Sequence, residues 1–72
     1  MNLLEIEEKQ TLSREEAAEL LHRLADGLAR HNGVDLVQHG KKVQVRVPDQ
    51  VEVELEVELD GEGGSLEIEL NW

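Results

Sequence analysis

The chain has 72 residues, no Cys and a net charge of −10 at neutral pH. A chain this short forms one domain and buries only about 60% of its unfolded surface. The lack of Cys excludes disulfides and thiolate metal sites, and the negative charge argues against binding to nucleic acid or to an anionic membrane. Neither a leader pattern nor an apolar run of about 20 residues is present, so we expect a cytoplasmic protein without a membrane segment.

A short strand and a helix are predicted in the first half of the chain. Residues 3–9 alternate weakly between apolar and acidic side chains, which predicts a first strand. Ser13 and Glu16 have capping-box spacing, in which the Ser13 hydroxyl accepts from the Glu16 amide and the Glu16 carboxylate accepts from the Ser13 amide. A stripe of apolar residues at helical spacing then predicts a helix over about 14–31: Ala17, Leu20, Leu21, Leu24 and Leu28.

Two glycines bear on the end of this helix. Gly27 lies on the flank of the apolar stripe, where glycine costs about 1 kcal/mol relative to Ala. We interpret it as a position where a side chain would crowd the sheet, with a hinge as the alternative. Gly33 is expected to end the helix in the left-handed conformation.

The middle of the chain predicts a hairpin. Residues 34–36 and 43–47 alternate, and His39-Gly40 between them suits a two-residue turn in which Gly supplies a positive φ. Centring the turn on this dipeptide places the apolar side chains on one face, through the pairs Leu36–Val43 and Val34–Val45.

Residues 48–50, Pro-Asp-Gln, predict a turn that joins this hairpin to the last third of the chain, because Pro cannot continue a ladder. Folding back about that turn adds the next strand to the same sheet. The expected pairs match apolar with apolar and basic with acidic side chains: Val47–Val51, Val45–Val53, Val43–Leu55, Arg46–Glu52 and Lys42–Glu56.

Residues 51–72 alternate strictly on both sides of a glycine-rich loop at 60–65, which predicts a hairpin with two contrasting faces. Its apolar face comprises Val51, Val53, Leu55, Val57, Leu59, Leu66, Ile68, Leu70 and Trp72. Its acidic face comprises Glu52, Glu54, Glu56, Glu58, Glu67 and Glu69. The expected pairs across the hairpin are Leu59–Leu66, Val57–Ile68, Leu55–Leu70, Val53–Trp72, Glu58–Glu67 and Glu56–Glu69. Like charges directly opposite each other destabilise a sheet, so we expect salt to stabilise the fold.

These elements define an α+β fold of order β-α-β-β-β-β. We expect one helix (about 14–31) to pack on one face of a mostly antiparallel, curled sheet of about five strands. Such a sheet is about 20 Å wide, whereas one helix is about 10–12 Å across. We therefore expect either that the sheet curls around the helix or that a second copy of the chain covers the remaining apolar area.

The combination of these features resembles the amphi-Trp domain family over nearly the whole chain. The features are an acidic opening segment, the run from Ser13 to Leu21 leading to Leu24-Ala25-Asp26, the Val47-Pro48-Asp49 turn, the alternating strands and the final Trp72. Members are small bacterial and archaeal proteins without an assigned activity. The resemblance therefore implies that Trp72 is part of the domain, and it assigns no functional residues.

The sequence carries little chemistry of the kind that enzymes use. His22, His31 and His39 lack the spacing of zinc ligands. Ser13 is accounted for as a cap and Ser65 as a turn residue, which leaves no activated nucleophile. We therefore expect no catalytic, cofactor-binding or metal-binding residues.

Two functional hypotheses remain. The first is a non-enzymatic interaction or structural module that self-associates through its sheet, as a homodimer, or binds a protein partner. Trp72 is then either a core residue opposite Val53 or an interface anchor, because Trp is enriched at interface hot spots. The alternative is that the acidic face mimics nucleic acid for a basic partner or binds divalent cations loosely. The same face also suits a solubilising surface or an adaptation to high salt.

Overall fold

The structure, a computed structural model, describes residues 4–72. Helix α1 spans Arg14–His31 and is followed by four strands, β1 (Gly33–Gln38), β2 (Lys41–Arg46), β3 (Glu52–Leu59) and β4 (Gly64–Asn71). The α+β class and the extent of the helix are thus confirmed. The predicted first strand is wrong: Leu3 lies outside the described residues, and residues 4–9 form no strand. Their weak alternation includes only two apolar positions on the expected inner side, too few to hold a strand on a sheet.

The capping box fixes the start of α1. The Glu16 amide donates to the Ser13 hydroxyl at 3.1 Å, and the Ser13 amide donates to the Glu16 carboxylate at 3.0 Å. This amide hydrogen bond, together with the Ser13 side chain, holds the pKa of Glu16 below its ordinary value. Acidic side chains in the first turn and basic ones in the last turn also favour the helix dipole.

The helix ends at His31 as predicted, but Asn32 and not Gly33 adopts the left-handed conformation, with φ 57° and ψ 32°. Its N–H donates to the carbonyl of Gly27. Asn tolerates this conformation better than most residues with a Cβ. Gly33 instead begins β1, where a Cβ would collide with the Val45 carbonyl oxygen.

The structure confirms that Gly27 lies where a side chain would crowd the sheet. A Cβ at this position would lie 2.8 Å from the carbonyl oxygen of Gly33, closer than side chains tolerate. The helix therefore approaches the start of β1 closely, at a point where both the helix and the strand have a glycine. Gly33 is the one buried residue among those whose burial is described.

The β1–β2 hairpin has the predicted register, with Leu36 opposite Val43 and Val34 opposite Val45. The turn residues His39 and Gly40 both have positive φ, 52° and 76°, as a type I′ turn requires. Helix α1 packs on β1. The side chains of this packed region are half-buried: Leu20, Leu24, Leu28, Val34, Leu36, Val43, Val45 and Val47.

The predicted continuous sheet is wrong, since β1–β2 and β3–β4 form two separate antiparallel sheets. The phase of the backbone hydrogen bonds explains why. The Val47 amide donates to the Asn32 carbonyl. Because hydrogen-bonded and open positions alternate along an antiparallel strand, the backbone groups of Val45 and Val43 also bond to β1. The backbone groups of Lys42 and Arg46 therefore face the open edge of β2.

On β3 the phase is the opposite. The Asp60 amide donates to the Gly63 carbonyl, so alternation directs the backbone groups of the glutamates toward β4 and those of Val53, Leu55 and Val57 toward the open edge. A regular ladder between β2 and β3 would therefore set basic residues of one strand beside apolar residues of the other. The expected pairs between Arg46 and Glu52 and between Lys42 and Glu56 do not form.

Candidate interaction surface

The β3–β4 hairpin has the predicted faces but a different register. The observed pairs are Leu59–Gly64, Val57–Leu66, Leu55–Ile68, Val53–Leu70, Glu58–Ser65, Glu56–Glu67, Glu54–Glu69 and Glu52–Asn71. The predicted pairs were wrong by two positions along β4. A shift of two keeps every side chain on its face, whereas a shift of one would exchange the faces.

The loop accounts for the shift in register. The Asp60 carboxylate accepts from the amides of Glu62 and Gly63 at 2.8 and 3.0 Å, and the Asp60 amide donates to the Gly63 carbonyl at 3.0 Å. These bonds close a short turn that leaves Gly64 and Ser65 free to enter β4. The signal was present in the sequence, because Asp at the start of a glycine-containing loop favours such an Asx turn.

The apolar face of the hairpin is largely uncovered. Seven of its nine residues are exposed, from 49% for Ile68 to 83% for Leu59, while Val51 and Leu70 are half-buried. Within residues 4–72, β3 and β4 contact each other and no other helix or strand. Except for Leu70, the apolar side chains of β3 and β4 are therefore exposed on the side where the sequence predicted a covering helix.

Trp72 follows β4 and is 62% exposed, so the prediction that it is a core residue opposite Val53 is wrong. Val53 pairs with Leu70, and Trp72 lies beyond the last pair of the ladder, Glu52–Asn71. Because it follows Leu70 by two positions, Trp72 continues the period of the apolar face. An exposed Trp in that phase extends the apolar surface at one end of the hairpin.

The acidic face lies on the other side of the hairpin, and all six of its glutamates are exposed. Two pairs of like charge are directly opposite each other, Glu56–Glu67 and Glu54–Glu69. Glu69 also accepts from the Asn71 side-chain amide at 2.8 Å. The ion pairs found among residues 4–72, Arg14–Glu15 and Arg30–Asp26, lie in the helix and leave the acidic face uncompensated.

The described residues show little sign of other sites. In residues 4–72 no group of three or more His, Asp or Glu side chains is placed to bind a metal ion. No helix in that part of the chain is long and apolar enough to cross a membrane. The β3–β4 hairpin, with an apolar and an acidic face both exposed, is the feature that calls for a functional explanation.

The arrangement is that of a small α+β protein in which one hairpin is covered by a helix and a second, amphipathic hairpin is left open. A family model described as the Amphi-Trp domain matches residues 1–72, and the chain belongs to that family. Searches of curated proteins and of solved structures found no match to the chain.

Proposed function

We propose that this protein is a non-enzymatic interaction module that self-associates through the apolar face of the β3–β4 hairpin. One observation carries the proposal: seven of the nine residues of that face are exposed. Contiguous exposed apolar surface on a small protein is typical of an interaction site. An isolated two-stranded hairpin is also only marginally stable in water, so burial of this face stabilises both the hairpin and the complex.

The position of Trp72 supports the proposal. Trp is over-represented among the residues that dominate binding energy, and Trp72 lies exposed at the end of the apolar face. It is also the only aromatic residue of the chain. Its fluorescence therefore reports burial of this end of the hairpin without interference from other side chains.

Sedimentation of the full chain at increasing concentration tests the proposal. We expect the average mass to rise across the micromolar range, ~10 μM to ~1 mM, as in ordinary weak association. Leu55→Ser should reduce association, and Glu56→Ser is the matched control, because it is the adjacent residue of the same strand on the acidic face. A chain that stays monomeric over the whole range, or that loses association equally in both variants, would refute the proposal.

A second candidate function is favoured by the acidic face. The pairs Glu54–Glu69 and Glu56–Glu67 concentrate carboxylates on one side of the hairpin, without a basic side chain opposite them. Such a surface suits a basic protein partner or weakly held divalent cations. Titration with Ca²⁺, Mg²⁺ or a basic protein should give binding that weakens with salt and in Glu54→Gln. If titration produces neither heat nor a change in chemical shift, this function is excluded.

A further inference from the structure

We infer that the partner of the apolar face is a second copy of this chain, which docks through its own β3–β4 hairpin, face to face. In this arrangement the two apolar faces form the contact and the two acidic faces point outward. The inference rests on the proposed function and specifies both the partner and the mode of contact.

The rest of the described residues, 4–72, offers no comparable apolar surface. Apart from Val37, which is exposed, the apolar side chains of β1 and β2 are half-buried in the unit that α1 covers, including Val34, Leu36 and Val45. Among residues 4–72 the extended apolar area that remains open is the face of β3–β4. Two identical faces of equal length can meet about a twofold axis, which is the commonest symmetry of protein dimers.

Edge-to-edge pairing is disfavoured by charge. The open edge of β3 presents the backbone groups of Val53, Leu55 and Val57, as shown above. An antiparallel ladder between two such edges keeps the apolar side chains on one side, but it also sets glutamates of one copy directly opposite glutamates of the other. Each such pair is destabilising, and the hairpin already contains two of them.

Pairing of β3 with β2 of a second copy fails for a different reason. The open edge of β2 presents Lys42 and Arg46, so their side chains would lie on the same side of the ladder as the apolar residues of β3. Face-to-face packing avoids both problems. Packed sheets lie about 10 Å apart, and the acidic faces lie outside that layer, at a separation beyond the Debye length of about 8 Å at physiological salt.

The size of the face sets the strength of the contact. Strands β3 and β4 have eight residues each. At ~3.4 Å per residue and ~4.8 Å per strand, the footprint is ~260 Å². A standard stable interface buries about 800 Å² per partner, so this contact gives a weak dimer that depends on concentration. Trp72 enlarges the footprint at one end.

Single-cysteine variants of the full chain test the mode of contact, because the protein has no Cys of its own. Leu55→Cys and Ile68→Cys place a thiol on the apolar face, at a directly opposed pair near the middle of the hairpin. Glu56→Cys and Glu67→Cys are the matched controls, from the neighbouring pair on the acidic face. Circular dichroism checks that all four variants keep the helix.

Treated with a bismaleimide that spans the ~10 Å between packed sheets, Leu55→Cys and Ile68→Cys should form crosslinked dimers at least ~10-fold faster than the two controls, because pre-association gives their thiols a millimolar effective concentration. Equal or faster crosslinking of Glu56→Cys or Glu67→Cys would show edge pairing and overturn the inference. Slow crosslinking of all four variants, with dimers still present in sedimentation, would overturn the inference and leave self-association standing. Monomers throughout would assign the face to a different protein and refute self-association as well.

Discussion

The repulsion between Glu56 and Glu67 gives the sharpest test of the hairpin register. The two residues are directly opposite each other in the structure, whereas Glu58 is opposite Ser65. The register predicted from the sequence instead pairs Glu58 with Glu67. A measurement of which two glutamates repel each other therefore distinguishes the two registers.

The expected magnitude follows from Coulomb's law. Two carboxylates ~6 Å apart in water repel each other by ~0.7 kcal/mol. Screening is slight at 10 mM salt, where the Debye length is ~30 Å, but only about a tenth of the repulsion remains at 1 M, where it is ~3 Å. Salt should therefore stabilise the hairpin by ~0.5 kcal/mol for each opposed pair, or ~1 kcal/mol for both pairs.

The assay is a double-mutant cycle in urea, which adds no ions, followed by the fluorescence of Trp72. Glu56→Gln, Glu67→Gln and the double variant should show a repulsive coupling of ~0.5 kcal/mol at 10 mM NaCl that nearly disappears at 1 M. The cycle between Glu58 and Glu67 is the matched comparison, because these residues are only diagonal neighbours in the structure. A larger coupling for Glu58–Glu67 than for Glu56–Glu67 would refute the register, and no salt-dependent coupling in either would refute the electrostatic argument.

Four further predictions concern the helix and the first hairpin, and urea unfolding measures each. Ser13→Ala should cost about 1 kcal/mol, because it removes the helix cap; an unchanged midpoint would contradict this. The hydrogen bonds with Ser13 lower the pKa of Glu16 in the folded state. They therefore stabilise the fold fully at pH values above the pKa of this carboxyl in the unfolded chain, and this stabilisation is lost as the pH falls through the lower folded-state pKa. Glu16→Gln, which keeps an acceptor, should remove this part of the acid sensitivity. Gly27→Ala should destabilise the protein, despite a helix-propensity gain of about 1 kcal/mol, because the added methyl meets the Gly33 carbonyl; increased stability would show that the contact relaxes. His39→Asn should stabilise the turn by up to about 1 kcal/mol, because Asn tolerates positive φ better, and a loss of stability would contradict the assignment of the turn.

Local signals in the sequence predicted the local structure well. The capping box, the apolar stripe and the His39-Gly40 turn each depend on residues within a few positions of one another, and each appears in the structure. The register of β1–β2 followed from its turn, because a two-residue loop leaves no freedom in which residues pair.

Features that depend on longer range were predicted less well. The glycine-rich loop is compatible with several closures, and the hydrogen bonds of Asp60 select one of them. The predicted pairs of β3–β4 are therefore displaced by two positions, while the two faces are correct. The alternation of side chains also says nothing about which backbone groups face an open edge. The direction of these backbone groups keeps β2 and β3 in separate sheets and leaves the apolar face of β3–β4 uncovered.

The separation of the two hairpins has a thermodynamic consequence for any complex of this protein. Strands β3 and β4 contact no other helix or strand among residues 4–72. The hydrogen bonds and side-chain contacts between the two strands are therefore almost all that offsets the conformational entropy lost when the hairpin orders. Ordering of the hairpin and burial of its apolar face then form one coupled equilibrium. Binding should carry the negative heat-capacity change of a folding reaction. The measured binding free energy should be smaller than the contact energy alone, because ordering the strands offsets part of it. The lifetime of the proposed dimer should then be set by the unfolding of the hairpin.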